Sequence, residues 1–150
     1  MIYSDEHFML HALALAKRAE NQGEVPVGAV IVSDNHIISE GWNQPIQLND
    51  PSAHAEIMAL RSAAKHLQNY RITNATLYVT LEPCLMCVGA MIHARIGRLV
   101  FGAMDPKTGA VASAFQLLTD SKHNHVISWK GSVCADECST LLKNFFKNKR

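Results

Sequence analysis

The sequence of 150 residues has few charged and few aromatic residues, and its apolar runs are short. Charged residues make up 18% of the chain and hydrophobic residues 48%, a composition that fits a compact globular protein and excludes a disordered one. The formal net charge is only +1, which neither indicates nor excludes a nucleic-acid partner. Repeats, linkers and low-complexity tracts are also absent, so the sequence predicts a single domain over residues 1–150.

The longest apolar run, Val25 to Val32, is far shorter than the roughly 20 residues that a transmembrane helix needs. Residues 1–20 place charged and histidine side chains between their apolar positions, unlike the apolar core of a signal peptide. We therefore expect a cytoplasmic protein without a membrane partner. The chain has only four cysteines, and without an export signal these indicate metal or thiol chemistry more than a disulfide framework.

Helical and strand patterns alternate along the chain. A helix capped by Ser4 and ending near Gly23 comes first, and a hairpin of two strands follows, Val25 to Val32 and His36 to Trp42. The later predicted elements are a loop over Asn43–Ser52, a helix over Ala53–His66 with Ser52 as its N-cap, a strand over Ala75–Leu81, a helix opened by Pro83 and ending near Ala94, strands over Arg98–Gly102 and Val126–Trp129, and a closing helix over Cys134–Lys147. This order predicts a three-layer α/β/α fold with a central mixed sheet of about five strands.

The spacing of two cysteines predicts a metal-binding pair. Cys84 and Cys87 are three residues apart at the start of a predicted helix, which leaves both side chains on one helical face. The helix N-terminus favours thiolates through its unpaired N–H groups and its dipole, and Pro83 suits the first turn. His54 offers a neutral imidazole from the start of another helix. Together the three residues form a Cys₂His set typical of zinc, with one Zn²⁺ per subunit.

Three protein ligands leave a fourth coordination position for water, which is the property of a catalytic zinc site. Zinc lowers the pKa of such a water to about 7, so hydroxide becomes available near neutral pH. Glu56 lies two residues after His54, and the two side chains can share a site only if the helix begins at about His54. In that position Glu56 is the predicted catalytic residue, which takes the proton from the water and delivers it to the substrate.

Each part of this pattern has a less specific interpretation when taken alone. A Cys-x-x-Cys pair also occurs in redox motifs and structural zinc sites, and a single histidine or glutamate is usually an ordinary helix residue. The combination of His-x-Glu with Pro-Cys-x-x-Cys, each at a helix start, favours a catalytic zinc site. Cys134 and Cys138 could form a second metal site with His123 and His125, but we favour buried free thiols.

The zinc pattern and its surroundings resemble the cytidine and deoxycytidylate deaminase superfamily and, within it, the bacterial tRNA-specific adenosine deaminases. The resemblance covers nearly the whole chain and is carried by these segments: Glu24–Val30, Gly41–Asn43, Asp50–Ala59, Ala75–Cys84, Gly89–His93, Val100–Ala103 and Asp105–Gly109. It implies a cytidine-deaminase-like fold and the hydrolytic deamination of the wobble adenosine in a tRNA anticodon loop to inosine, with release of ammonia. It also implies His54, Cys84 and Cys87 as zinc ligands and Glu56 as the proton shuttle.

The same resemblance assigns substrate contacts outside the metal site. Val27 would form part of an apolar pocket wall, and Asn43 would hydrogen-bond the extruded base or its sugar. Asp105 would lie near a ribose hydroxyl and Lys107 near a phosphate. The simpler interpretations are that Asn43 caps its own turn and that residues 105–109 form an ordinary solvated turn.

The tail from Phe145 to Arg150 resembles the C-terminal helix of that family, where aromatic and basic residues approach RNA, and it suggests contacts from Phe145, Phe146 and Lys147. Alternatively, both phenylalanines pack the last helix and the lysines keep its outer face soluble. The family is commonly homodimeric, which implies a homodimer here. Two rival functions stay open: deamination of a free base, nucleoside or nucleotide, and zinc-stabilised RNA binding without catalysis.

Overall fold

The computed structural model describes residues 2–120 and 122–149. Its elements are, in chain order, α1 (Asp5–Asn21), β1 (Gly28–Ser33), β2 (His36–Trp42), α2 (Pro45–Leu48), α3 (Ala55–Leu67), β3 (Thr76–Leu81), α4 (Leu85–His93), β4 (Arg98–Ala103), a 3₁₀ turn (Leu117–Thr119), β5 (Ser128–Lys130) and α5 (Ala135–Asn148). The five strands form one sheet with helices on both faces. The predicted three-layer α/β/α fold is confirmed.

The strand order of the sheet is β2-β1-β3-β4-β5. Strand β1 is antiparallel to β2 and β3, whereas β3, β4 and β5 run parallel, so the sheet is mixed. This arrangement brings the C-terminal ends of β2, β3 and β4 to one edge, together with the start of β1. We call this the site edge, because loops that leave the carboxyl ends of parallel strands are the usual place for a site in an α/β fold.

Alternating side chains along the strands build two hydrophobic cores. In β1, Ala29 and Ile31 pack with residues of α3 and α4, whereas Val30 and Val32 pack with residues of α1. Helix α5 joins α1 on the second face through Cys138. Because side chains alternate between the two faces, a slip of one residue in the register of β1 would move each of its side chains from one core into the other.

The start of α1 is fixed by a cap and by an ion pair. The Ser4 hydroxyl accepts a hydrogen bond from the His7 N–H at 3.1 Å, as predicted for an N-cap. The carboxylate of Asp5 accepts two hydrogen bonds from the Arg98 guanidinium, at 2.8 and 2.9 Å, and one from the Tyr78 hydroxyl at 2.8 Å. These contacts tie α1 to the beginning of β4, at the end of the sheet opposite the site edge.

The segment between β2 and α3 differs from its prediction. The expected irregular loop contains the short helix α2, with Pro45 in its first turn. Ser52 does not cap α3, because its N–H and hydroxyl both donate to Asp50. The N-cap is His54, so α3 begins at Ala55, in agreement with the start that the His54 and Glu56 spacing required.

Other predicted boundaries shift by a few residues. Strand β1 begins at Gly28, because a tight turn in which the Val27 N–H donates to the Val25 carbonyl takes the preceding residues out of the sheet. Helix α4 begins at Leu85 with Cys84 as its N-cap, so Pro83 precedes the helix. None of the helices described over residues 2–120 and 122–149 combines the length and the apolar character needed to cross a membrane.

Candidate active site

Three side chains capable of binding a metal meet at the site edge. His54 Nδ1 lies 3.6 Å from Sγ of Cys84 and 3.6 Å from Sγ of Cys87, and the two sulfurs are 3.8 Å apart. Tetrahedral zinc, with Zn–S bonds of about 2.3 Å and Zn–N bonds of about 2.0–2.1 Å, separates its ligand atoms by about 3.6–3.8 Å. The donor set therefore fits a zinc ion in both chemistry and spacing.

The ligand-bearing segments are two helix N-termini. His54 is the N-cap of α3, Cys84 is the N-cap of α4, and Cys87 lies in the first turn of α4. Neither cap residue uses its side chain to cap its own helix, so the imidazole and the thiol are available to a metal. The unpaired N–H groups and the dipoles of both helices favour anionic sulfur at this point.

Two contacts from β2 and its following loop fix where α3 begins. Gly41 lies so close to the helix that a Cβ at this position would overlap the carbonyl oxygen of Ala55, so the packing requires glycine. The Asn43 side-chain oxygen accepts a hydrogen bond from the Ala55 N–H at 2.8 Å. Asn43 thus satisfies a helix N–H group that His54 does not, and the His54 ring faces the cysteines instead.

Glu56 is the second residue of α3 and is only 4% exposed. It borders the same cavity as His54 and Cys84. Burial raises the pKa of its carboxyl to about 7. A carboxyl group with a pKa near neutrality can accept a proton and return it at the same pH, as a proton shuttle must.

The two thiols of the donor set differ in acidity. Contact with the Cys87 thiol and with His54 lowers the pKa of Cys84 to about 4, whereas the neighbouring Cys84 sulfur and burial raise the pKa of Cys87. Contact with Cys84 also raises the pKa of His54. A divalent cation binds the deprotonated forms, so metal loading at neutral pH releases protons from this group of residues.

A cavity of about 260 Å³ opens beside the three potential ligands. Its other lining residues come from the site edge and the loops that leave it: Val25, Val27, Asn43, Pro45, Leu81, Glu82, Asp105 and Thr108. Pockets for drug-sized ligands start at about 300 Å³, so this cavity has room for a single small group such as one base. Val27, Asn43 and Asp105, to which the resemblance assigns substrate contacts, are among the residues that line this cavity.

Two buried glutamates, neither of them singled out by the sequence analysis, hold the loops that border the cavity. Glu24 is 1% exposed and accepts hydrogen bonds from the N–H groups of Ile46 at 3.2 Å and Gln47 at 2.8 Å, at the start of α2. Glu82 is 2% exposed and binds the loop after β4. Burial acts to raise the pKa of Glu82, but hydrogen bonds from Ser113 and the loop amides lower it below its ordinary value. Such residues can be found in a sequence as glutamates next to apolar residues. A glutamate in that position is buried with its neighbours, and a buried charge needs hydrogen-bond partners.

The turn after β4 is organised by Asp105. One carboxylate oxygen accepts hydrogen bonds from the N–H groups of Lys107 at 3.1 Å and Thr108 at 3.2 Å, and the other accepts the Thr108 hydroxyl at 2.9 Å. Such contacts are typical of an Asx turn, the simpler of the two interpretations. The turn nevertheless borders the cavity, while Lys107 is exposed outside it.

A groove of about 880 Å³ adjoins the cavity, between this turn and α5. It shares Val25, Leu81, Asp105 and Thr108 with the cavity, so the two spaces lie side by side. Three lysines line it together with the exposed ring of Phe146: Lys107, Lys143 and Lys149. The groove therefore combines an aromatic face with positive charge.

The predicted RNA contacts of the last helix separate into two groups. Phe146 is 49% exposed in the groove, whereas Phe145 is 8% exposed and belongs to the buried core. The burial of Phe145 favours the alternative interpretation, in which this ring packs the last helix. Neighbouring residues on a helix point about 100° apart, so only one of the two rings faces the groove. Lys147 is exposed but does not line the groove, and Arg150 lies outside the described residues.

The suggested second metal site is not assembled. His123 and His125 contact the backbone carbonyls of Leu117 and Ile96 through their Nε2 atoms. Across residues 2–120 and 122–149, His54, Cys84 and Cys87 are the one group of three potential ligands brought together. Cys134 and Cys138 are both free thiols, but only Cys138 is buried as the favoured interpretation expected, whereas Cys134 is partly exposed.

Residues 2–103 match the family model described as "Cytidine and deoxycytidylate deaminase zinc-binding region". The matched segment covers more than half of the chain and contains His54, Glu56, Cys84 and Cys87. Together with the fit of the donor set, this match makes zinc the cofactor of the chain.

Named relatives match over nearly the full length. The tRNA-specific adenosine deaminase of Haemophilus influenzae is 57% identical over 147 residues, which cover 97% of this chain and 85% of the relative. That of Buchnera aphidicola subsp. Baizongia pistaciae is 52% identical over 147 residues, covering 98% and 91%. A solved structure from a study of A-to-I editing by tRNA:A34 deaminases at the wobble position of transfer RNA has a TM-score of 0.88 and 43% identity, covering 91% of this chain and 99% of that chain. The chain therefore belongs to the tRNA-specific adenosine deaminases, within the cytidine and deoxycytidylate deaminase superfamily.

Proposed function

We propose that this chain, a single zinc-dependent domain over residues 1–150, hydrolytically deaminates the wobble adenosine of a tRNA anticodon loop to inosine and releases ammonia. One observation carries the proposal: the buried carboxyl of Glu56 adjoins three zinc-ligating side chains at a cavity large enough for one base. The names of relatives at 57% and 52% identity support the same substrate.

In this proposal His54, Cys84 and Cys87 hold the zinc ion, which when bound supplies an activated water for attack on carbon 6 of adenine. Glu56 accepts one proton of this water at its carboxylate and passes it to the ring nitrogen next to that carbon. It then accepts the second proton from the oxygen now bonded to carbon 6 and passes it to the amine, which leaves as ammonia. Its pKa of about 7 supports both transfers near neutral pH. Its burial limits exchange of the proton with bulk water.

The cavity and its rim support binding of one extruded adenosine. A cavity of about 260 Å³ admits a base only after the base has left its stack, which costs least in an unpaired loop. In this arrangement Val27 packs against the face of the base, and Asn43 forms a hydrogen bond with the base or its sugar. Asp105 at the rim would accept from a ribose hydroxyl, and Lys107 would meet a phosphate.

The adjoining groove supports contact with the rest of the anticodon loop. The exposed ring of Phe146 offers a stacking surface, and Lys143 and Lys149 add positive charge beside it. Aromatic stacking together with cationic side chains is the common way in which proteins bind single-stranded bases. Lys147, exposed on the same helix, would attract phosphates from outside the groove.

A homodimer and a cytoplasmic location complete the proposal. An apolar cleft of about 360 Å³ between α3 and α4 is lined by Ile57, Leu60, Tyr70 and Ala90, and the Tyr70 ring is 66% exposed. Exposed apolar surface of this kind supports association, and we propose a second copy of the chain as the partner. Sedimentation equilibrium tests this, because it distinguishes a 16.5 kDa chain from its dimer.

The function is tested with zinc-loaded protein and a panel of substrates. The panel contains an anticodon stem-loop with a wobble adenosine, the same stem-loop with its adenosine moved into the paired stem, and free adenosine, adenine, guanine and cytidine. Mass spectrometry of digested RNA measures inosine, and ammonia is measured in parallel. We expect inosine from the first RNA alone. Turnover of a free base or nucleoside without inosine in RNA would identify a small-molecule deaminase, and RNA binding without ammonia would identify a non-catalytic module.

A further inference from the structure

Glu82 connects the metal-binding turn to the loop of residues 105–113. It follows β3 directly and comes two residues before Cys84. One carboxylate oxygen accepts hydrogen bonds from the N–H groups of Val111, Ala112 and Ser113 at 3.1, 2.8 and 3.0 Å. The other accepts the Asp105 N–H at 3.0 Å and the Ser113 hydroxyl. One buried side chain thus binds both ends of the 105–113 loop.

The packing of the loop against Glu82 leaves little free space. A Cβ at Gly109 would overlap the Glu82 carboxylate, so the loop can follow its path only with glycine at this position. The Ala110 N–H also donates to the Pro83 carbonyl at 2.8 Å, and the Glu82 N–H donates to the Ala103 carbonyl at 2.8 Å. The loop is therefore held against the segment that carries Cys84.

The loop that Glu82 holds forms one wall of the substrate-facing surface. Asp105 and Thr108 line the cavity beside the metal ligands, and with Lys107 they also line the adjoining groove. The carboxylate of Glu82 is itself occupied by five donors from the loop, so it is not available to substrate. Any effect of Glu82 on substrate must therefore pass through the position of the loop.

We propose that Glu82 is a positioning residue that sets the affinity for RNA, because its hydrogen bonds hold the 105–113 loop where Asp105 and Lys107 can contact the nucleotide. This inference rests on the proposed function and adds a determinant of affinity to it. Glu82 does not take part in the proton transfers, which belong to Glu56.

The test compares Glu82→Gln with Gly109→Ala in zinc-loaded protein. In Glu82→Gln, one of the two carboxylate oxygens is replaced by an NH₂ group, which faces N–H or O–H donors in either orientation of the amide. In Gly109→Ala, the added Cβ displaces the loop although the Glu82 carboxylate is unchanged. We expect both variants to raise KM for the stem-loop by about tenfold or more while kcat changes by less than about threefold. Zinc content should stay unchanged. Hydrogen exchange of the amides at 111–113 should accelerate by about tenfold or more in both.

Two further variants separate loop position from general stability. Ser113→Ala removes a single donor and leaves the four backbone hydrogen bonds to Glu82, so its KM should stay within about threefold of the wild-type value. Asp5→Asn removes another carboxylate with several hydrogen bonds, but at the opposite end of the sheet, so it should lower stability without changing KM.

Each contrary result has a distinct meaning. Wild-type KM in Glu82→Gln, despite faster exchange at 111–113, would overturn the link between loop position and affinity. Loss of zinc and of kcat together would assign Glu82 to support of Cys84 instead, and unchanged exchange would show that Glu82 does not hold the loop. If the wild-type protein fails to deaminate the stem-loop, the proposed function is wrong. The inference about Glu82 can still be tested in that case by measuring binding of a labelled stem-loop, and an unchanged affinity of the variants would overturn it.

Discussion

The Asn43 side-chain oxygen lies 2.8 Å from the backbone nitrogen of Ala55, the first residue of α3. Because a backbone N–H can only donate, this contact uses the oxygen of Asn43 as an acceptor and leaves its Nδ2 as the group that can serve a substrate. Asn43 should therefore donate to an acceptor of the nucleoside. We expect Asn43→Asp, which keeps the acceptor and removes the donor, to fold normally and to lower kcat/KM by about tenfold or more in steady-state assays.

Asn43→Ala provides the control for this prediction. It removes the acceptor as well, so thermal unfolding should show a loss of about 1 kcal/mol that Asn43→Asp does not show. Equal kcat/KM in the wild type and both variants would remove Asn43 from substrate recognition.

Glu56→Gln should separate zinc binding from catalysis. The side chain keeps its shape but can no longer exchange a proton, so kcat should fall by about 10²-fold or more while zinc content measured by elemental analysis stays unchanged. Glu40→Gln is the matched control, because Glu40 is exposed on β2 away from the cavity. Turnover by Glu56→Gln at the wild-type rate would show that another group carries the proton.

Removal of zinc should expose one reactive cysteine. Cys84 is partly exposed and has a pKa of about 4, so without metal it is a thiolate at neutral pH. We expect chelation to abolish turnover and to make Cys84 the first site alkylated by iodoacetamide, as mapped by peptide mass spectrometry. Cys134 is the internal control, since it is also partly exposed but burial raises its pKa. Alkylation of Cys134 before Cys84 would contradict this ordering.

The two neighbouring phenylalanines of α5 should respond differently to truncation. Phe146→Ala removes an exposed ring from the groove, so stem-loop KM should rise by about tenfold with little change in stability. Phe145→Ala removes a buried ring and should lower the free energy of unfolding by about 3 kcal/mol or more. Denaturant unfolding and kinetics on both variants check the assignment. The opposite pattern would mean that α5 presents its other face to RNA.

Asp5 should contribute stability that is lost in acid. Hydrogen bonds from Arg98 hold its pKa at about 2, below the ordinary value of 3.8, so folding favours the ionised form. A lowered carboxyl pKa stabilises the fold fully above the unfolded value and loses this effect as the pH falls towards 2. Because Arg98 is partly exposed, solvent screens its interaction with Asp5, so we expect Asp5→Asn to lower the free energy of unfolding by about 1–2 kcal/mol at pH 7. The difference between the wild type and the variant should be smaller at pH 3. Urea unfolding of both proteins at pH 7 and pH 3 measures this difference. The same difference at both pH values would contradict the prediction.

The parts of the fold that could be predicted from the sequence are those set by local chemistry. Ser4 marks the start of α1 because a hydroxyl at that position caps the N–H group three residues later. The spacing of Cys84 and Cys87 follows from helical geometry, and the requirement that His54 and Glu56 share a site correctly located the start of α3.

Features held by distant residues could not be predicted in this way. Helix α2 has only four residues and no period, and it is held by Glu24, whose carboxylate binds the N–H groups of Ile46 and Gln47 from more than twenty positions away. The choice between the rings of Phe145 and Phe146 depends on how α5 packs against the sheet. The sequence offers both as equivalent aromatic residues.

The hydrogen bonds of Glu82 have a consequence for how this enzyme can diversify. They reach the 105–113 loop through four backbone N–H groups and one hydroxyl, so most side chains of the loop play no part in holding it. If the turn binds RNA as proposed, we expect substitutions at exposed positions such as 106 and 107 to alter which nucleotides are recognised while the path of the loop persists. The preference for RNA sequence can in this way change during evolution, or be selected from a library of variants, while the loop backbone keeps the same conformation.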